Sequence, residues 1–276
     1  MPDAYPETNP DTDNNDSDYD FRFGGIARLY GNQALARFYE SHIAVIGIGG
    51  VGSWAAEALA RSGIGKITLF DLDDVCVSNI NRQVHALQSS VGQMKGDVMA
   101  ARLKQINPDI EVVVKHTFVT PKNVSDLLSK EFDYVFEATD SVKAKTAIIA
   151  HCVRHKIKVI TSGGAGGQSD PSQILIADLS RTIQDPLLAK VRNNLRRLHG
   201  FSRNPKRKFR VESIYSTEPL VYEQGDGTVC AKRPESNGPA KLDCASGFGA
   251  VTHITATFGF FAASQILKKL ARQKAV

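Results

Sequence analysis

The stretch HIAVIGIGGVGS, residues 42–53, decides how this chain is read. Its first seven residues are an apolar run bounded by glycine, the pattern of a strand buried on both faces of a sheet. Gly47, Gly49 and Gly52 then satisfy G-x-G-x-x-G directly after that strand, and the alanine-rich residues 50–61 continue as a helix. Strand, glycine turn and helix in this order bring a tight backbone and a helix N-terminus to one point, where phosphate or nucleoside binds. A second strand, KITLFD at 66–71, ends on Asp71, where a carboxylate can meet a ribose hydroxyl. On these features alone a nicotinamide-dependent oxidoreductase and an ATP-consuming enzyme fit equally well.

Outward from this unit the alternation continues. Helical spacing runs over 21–40 and again over 91–107, where Pro108 stops it. Strands are expected at 110–116, 134–138 and 158–162, helices at 121–130 and 142–156, and one more strand at 173–177. The order predicts an α/β fold with a doubly wound, mostly parallel Rossmann-like sheet and right-handed crossovers. After Ser162 the texture changes to a glycine-rich loop at 163–167, a basic stretch, and a proline- and glycine-rich region ending near Pro239. The reading is one domain over 21–276, with a substrate-specific basic insertion at about 180–240 and a C-terminal helix at about 247–272.

The formal charge of +5 hides a polarity. Residues 1–20 hold seven acidic residues and no basic one, and read as a disordered acidic tail. Residues 190–210 hold nine basic residues and no acidic one, with Phe201 and Phe209 interleaved. The four cysteines, Cys76, Cys152, Cys230 and Cys244, are too few and scattered for a disulfide framework, and no Cys-x-x-Cys pair exists for a four-thiolate zinc site. Cys76 reads as packing. No secretory signal is visible, so a reducing, cytoplasmic setting fits. Residues 246–267 carry no Asp, Glu, Lys or Arg, which would suit a membrane span. His253, Gln265 and three glycines in that stretch favour a buried core helix instead.

The residues after the second strand separate the chemistries. DLDDV (71–75) leads to SNINRQ (78–83) and VGQMK (91–95), and ATDS (138–141) lies at the carboxyl end of a later strand. Arg82 and Lys95 have no task beside a nicotinamide. A triphosphate needs them, because its α-phosphate gains charge during displacement and fixed cations stabilise that charge. Asp140 is placed to hold a magnesium ion bridging phosphates.

These motifs, with GIGGVGS at 47–53, resemble the ubiquitin-activating-enzyme-like superfamily of ATP-dependent carboxylate adenylyltransferases. The resemblance implies that Gly50 contacts the nucleotide, Asp71 the ribose, and Asn79, Arg82 and Lys95 the phosphates, while Asp140 binds Mg2+. Gly47, Gly49, Gly52, Asp73, Asn81 and Ser141 fall in the same motifs and are assigned to the ATP site, with Arg82, Lys95 and Asp140 as the catalytic set. The missing Cys-x-x-Cys pairs depart from the activators of sulfur-carrier proteins; adenylation of a carrier's C-terminal glycine is nevertheless the nearest alternative.

Closer similarity is to the bacterial tRNA threonylcarbamoyladenosine dehydratases, through RFGGIARLYG (22–31), TSGGAGGQSDPSQI (161–174), TIQDPLLAKVR (182–192) and LDCASGFGAVT (242–252). That subfamily implies ATP-dependent dehydration of the threonylcarbamoyl group at position 37 of tRNA, a homodimer, and a link to cysteine-desulfurase sulfur-relay proteins. It leaves open a monovalent cation at the 160s loop and a sulfur role for Cys230 or Cys244. In relatives an N-terminal arginine reaches the neighbouring subunit's ATP site; Arg22 and Arg28 are the candidates here, at a spacing that departs from that pattern. With an RNA substrate implied, Arg203, Lys206, Arg207 and Lys208 of the basic stretch are assigned to tRNA.

Overall fold

A computed structural model describes residues 18–224, 226–231 and 248–272. In chain order its elements are α1 (Asp18–Tyr30), α2 (Asn32–Glu40), β1 (His42–Ile46), α3 (Gly50–Ala60), β2 (Lys66–Asp71), α4 (Lys95–Ile106), β3 (Glu111–His116), α5 (Val124–Leu127), β4 (Tyr134–Glu137), α6 (Val142–His155), β5 (Val159–Ser162), β6 (Ile174–Asp178), α7 (Pro186–Leu198), β7 (Glu212–Ser216), β8 (Tyr222–Glu223), β9 (Val229–Cys230) and α8 (Thr252–Ala271). Seven of the strands form one sheet in the order β3-β2-β1-β4-β5-β7-β6. All neighbours in it are parallel except β6, which runs antiparallel to β7.

Side-chain alternation in β1 explains why its whole run is apolar. Ile43 and Val45 point into a core shared with α2, α3, α4 and α8, where Phe38, Leu59, Met99, Phe258 and Ile266 are buried. Ala44 and Ile46 point into a second core with α5, α6 and α7, among Val124, Ile148, Ile149, Leu188 and Leu195. A strand covered by helices on both faces has no wet side and so shows no polar alternation. β3, at the sheet edge, is by contrast mostly half-buried or exposed, and carries Lys115 and Glu111.

The order reverses between β1 and β4, whose chains leave toward opposite faces. This is the topological switch point where open α/β sheets form a crevice at the strands' carboxyl ends. The glycine turn after β1 and the ATDS segment after β4 are the two lips of that crevice.

Several expected boundaries shift. The helix begins at Asp18, inside the segment read as tail, because buried Tyr19 anchors it by donating its hydroxyl to Gly63 O. Gly31, at φ +90°, splits the expected 21–40 helix in two. The expected 91–107 helix starts only at Lys95, since Asp74 and Met94 bridge and Val75 N donates to Gln93 O at 2.8 Å. The largest correction concerns the segment read as an insertion. β7 lies within it yet pairs with both β5 and β6 inside the sheet, and α7 packs on α6. Residues 186–216 are therefore part of the α/β domain itself.

The uncharged C-terminal stretch is a core helix over its described part: Ile254, Phe258, Ala262, Ile266 and Leu270 of α8 are buried, and α8 packs along α3. Among the described residues no helix is long and apolar enough to cross a membrane. Most of the acidic tail, together with Cys244, lies outside the described residues.

Candidate functional site

The crevice is built first by glycine. Gly47 sits at φ +87° and donates its N–H to Phe70 O at 2.9 Å, which folds the turn back onto the end of β2. A Cβ on Gly52 would lie 1.9 Å from Gly47 O, so no other residue fits there without moving the turn. Asp71 braces the same turn: its carboxylate accepts from Ile48 N at 2.6 Å and from Asp73 N at 2.9 Å. Burial pushes the Asp71 carboxyl up from its ordinary value, against those two N–H bonds and the Lys95 charge.

The second wall is the loop from Asp73 to Lys95. Asn79 is buried and accepts from Cys76 N at 3.0 Å, so it shapes the short turn that carries Arg82. The Arg82 guanidinium donates to Ser78 O at 2.6 Å and to Asn81 Oδ1 at 3.2 Å. Its backbone carbonyl accepts from Trp54 Nε1 of α3 at 3.0 Å and Thr255 Oγ1 of α8 at 3.1 Å. Asn81 is held too, donating to Ala250 O at 2.9 Å while its carbonyl accepts from Thr252 Oγ1 at 2.6 Å. Lys95 is the first residue of α4; it is buried, and its Nζ meets Asp73 Oδ2 at 2.9 Å. Asp73 thus faces a cation already in place. Behind Lys95 the buried His85 has its imidazole pKa pushed down to about 4, by burial first and then by Lys95 and Arg102.

The third wall follows β4. Glu137 is fully buried and accepts from Thr139 N at 2.9 Å, from Thr139 Oγ1 at 2.6 Å and from Thr161 Oγ1 at 2.6 Å. It also pairs with fully buried Lys145, whose Nζ donates to Ser162 O at 2.9 Å. Asp140 emerges from this turn exposed, with no hydrogen bond or ion pair among the described residues. Ser141 caps α6, its Oγ accepting from Ala144 N at 3.4 Å. The glycine loop after β5 closes the floor: Gly163 N donates to Ile214 O at 2.7 Å, Gly164 N to Asp185 Oδ2 at 2.9 Å and Gly167 N to Gly249 O at 2.7 Å. Burial raises the Asp185 carboxyl, which also caps α7 through Leu188 N at 2.8 Å.

Gly47, Gly52, Asp71, Asp73, Asn79, Asn81, Arg82, Lys95, Asp140 and Ser141 all lie on loops or element ends bordering this crevice. Sequence reasoning missed Trp54, Thr252, Thr255, Glu137 and Lys145. The first three act over more than 25 residues of chain, and no local pattern carries them. The adjacent acid and base around ATDS are legible as residues but not as a buried pair.

Other expected residues lie elsewhere. Arg203, Lys206, Arg207 and Lys208 are exposed in the loop after α7, where Arg196 stacks over buried Phe209 at 5.4 Å. Arg22 approaches Ile106 O at 3.5 Å, beside the end of α4 remote from Lys95 and about 16 Å along the helix from it. Cys76 is exposed, not packed, because its short turn lies on the outer lip; its Sγ accepts from Ser78 Oγ at 3.3 Å.

A glycine turn, two cations and an exposed carboxylate at a switch-point crevice are the features of a nucleotide-binding α/β protein. The chain belongs to the ThiF family, whose model matches residues 25–276. Two curated relatives carry a more particular name. The tRNA threonylcarbamoyladenosine dehydratase of Escherichia coli is 58% identical over 254 residues, 92% of this chain and 95% of that protein. That of Haemophilus influenzae is 55% identical over 256 residues, 93% of this chain and 95% of that one. Among solved structures, the E. coli dehydratase in complex with ATP superposes with a TM-score of 0.81 at 52% identity, covering 92% of this chain and 97% of that one.

Proposed function

We propose that the protein is an ATP-dependent tRNA threonylcarbamoyladenosine dehydratase. The observation that carries the reading is the crevice itself: Arg82 and Lys95 are preset on the wall that runs from Asp73 to Lys95, and Asp140 stands unpaired, among the described residues, on the lip after β4. The extent of identity to the E. coli and H. influenzae dehydratases, and the ATP held by the former, support it.

The threonyl carboxylate of the modified adenosine attacks the α-phosphate of ATP, and pyrophosphate leaves. A nitrogen of the same threonylcarbamoyl group then attacks the acyl carbon, closes a five-membered ring and expels AMP. The nucleoside loses one water in total. The attacking nitrogen is tethered to the acyl group, so the second step requires no enzyme nucleophile. The chain's own part is to position and to neutralise. Gly47, Gly49, Gly50 and Gly52 let the backbone approach the nucleotide, Asp71 faces the ribose, and Arg82 and Lys95 oppose charge growing at the α-phosphate. Because Trp54 and Thr255 hold the Arg82 backbone and an ion pair with Asp73 holds Lys95, little reorganisation is needed when that charge develops.

A magnesium ion fits this site as part of the nucleotide complex. Asp140 offers one exposed carboxylate beside the phosphate-binding lip, and Mg2+ is commonly held by one or two carboxylates plus substrate phosphates. Among the described residues no cluster of three or more acidic, histidine or cysteine side chains would hold a metal without nucleotide. The bound ion would neutralise phosphate oxygens. A monovalent cation at the 160s loop, a homodimer in which Arg22 or Arg28 meets the partner's nucleotide, a sulfur-relay partner and a cytoplasmic setting belong to the same reading.

The exposed cations Arg203, Lys206, Arg207 and Lys208 take tRNA phosphates in this reading. The test is direct. Purified protein, ATP, Mg2+ and tRNA bearing threonylcarbamoyladenosine should release pyrophosphate and yield a nucleoside lighter by one water. Pyrophosphate released with a sulfur-carrier protein and not with the tRNA would overturn the proposal. Reversing the four loop charges should weaken tRNA binding and leave ATP binding unchanged.

A further inference from the structure

Helices α6 and α7 lie side by side on the face of the sheet away from α8, and two clefts open along α7. One, beside the first turn of α6, is walled by Lys143 and Lys190; the next is walled by Arg196 and Arg203; Asn193 and Arg197 line both. The clefts therefore form one trough. Lys190, Asn193 and Arg197 are exposed at helical spacing on a single stripe of α7, so their side chains share that face. None of the five cations pairs with a carboxylate among the described residues.

Two features separate this trough from an ordinary solvated basic face. Lys143 stands in the first turn of α6, where the helix dipole opposes a cation, and no acidic residue in that turn offsets it. The α6 end of the trough also lies close along the chain to the crevice, since Val142 and Lys143 line it and Lys143 follows Asp140 by three residues and Ser141 by two. An arrangement of unneutralised cations ending near a catalytic carboxylate suits a polyanion that must enter the site.

We propose that the trough holds the ribose–phosphate backbone of the tRNA strand that carries the modified nucleotide to Asp140, Arg82 and Lys95. The inference rests on the dehydratase reading and gives that site its substrate path. Arg197 and Asn193, at the junction, bind backbone phosphate and sugar, and Lys143 guides the last phosphate before the reacting nucleotide. Such interactions set register without reading base sequence, which suits one modified nucleoside presented by tRNAs of different sequence.

The double variant Lys190→Glu/Arg197→Glu tests this, with Lys143→Ala as a milder companion. Both alter exposed side chains, and an unchanged melting temperature and ATP affinity show an intact nucleotide site. Affinity for threonylcarbamoyladenosine-bearing tRNA should fall more than about tenfold for the double variant at moderate salt. The slope of log K against log salt should flatten by about 0.7–0.9 for each phosphate no longer neutralised. Wild-type affinity and slope in both variants, with the wild-type enzyme binding and converting tRNA normally, would overturn the trough and leave the dehydratase standing. A wild-type protein that neither binds nor converts the tRNA would overturn both.

Discussion

Lys145 Nζ pairs with the Glu137 carboxylate where both side chains are fully buried, and the same ammonium reaches Ser162 O at 2.9 Å. The pair ties the carboxyl end of β4 to that of β5. Through Thr139 it also sets the turn from which Asp140 emerges. Its geometry allows a sharp test of structural against functional roles. Lys145→Met leaves a buried, uncompensated carboxylate and should cost about 3–5 kcal/mol of unfolding free energy in urea. Glu137→Met/Lys145→Met removes both charges and should recover most of that loss. Activity should stay low in the double variant, because Thr139 has lost the acceptor that fixes the Asp140 turn. Full activity alongside recovered stability would show that the pair only packs.

Gly52 permits one backbone path and no other. In Gly52→Ala the added Cβ starts 1.9 Å from Gly47 O, a backbone atom that cannot swing aside. The turn must open, and ATP affinity should fall steeply while the circular dichroism of the remaining domain persists. Isothermal titration with ATP measures the first and far-ultraviolet spectra the second.

Arg82→Ala and Lys95→Met should each lower kcat for dehydration by about 100- to 1,000-fold, the usual loss when one transition-state charge donor is removed. Trp54→Phe keeps an aromatic ring and deletes the N–H that holds the Arg82 carbonyl. A neutral hydrogen bond of about 1 kcal/mol translates into a loss of roughly fivefold. Pyrophosphate-release kinetics for the three variants rank them; equal losses would mean that Trp54 acts on folding instead.

His85 is buried, with its folded-state pKa pushed down to about 4 from an unfolded value near 6.5. The folded state prefers the neutral ring, so this contribution is fully present above pH 6.5 and is lost as pH falls from 6.5 toward 4. The unfolded chain binds the extra proton in that window, at a cost of up to about 3 kcal/mol. Urea midpoints for wild type and His85→Leu across about pH 4–7 should converge at the acid end, with the wild-type curve alone carrying this slope.

Much of the site is legible in the chain's local patterns. The G-x-G-x-x-G turn after an apolar run, the aspartate closing β2 and the polar motifs after β2 and β4 are local signals, because each is set by neighbours within a few residues. Arg82 and Lys95 can be named because cations beside a glycine turn have a chemical reason to be there. Whatever depends on distant chain escapes such a reading. Trp54 and Thr255 converge on one carbonyl from α3 and α8, and Glu137 meets Lys145 only once α6 lies back across the sheet.

β7 shows the same division at the level of fold. Its short run, ESIYS, sits among prolines, glycines and cations and looks like loop. It becomes a strand because β5 and β6 offer hydrogen-bonding edges on either side of it. Periodicity, glycine sterics and charge act over a few residues, so the amino-acid order is enough to dictate the alternating fold class, the switch-point turn and the charged residues that border it. Building the basic segment into the sheet domain through α7 and β7 took the folded chain. Sheet pairing and the packing of α7 on α6 join residues far apart in the chain, and that long-range burial and hydrogen bonding outweighs the weak local preference of the segment.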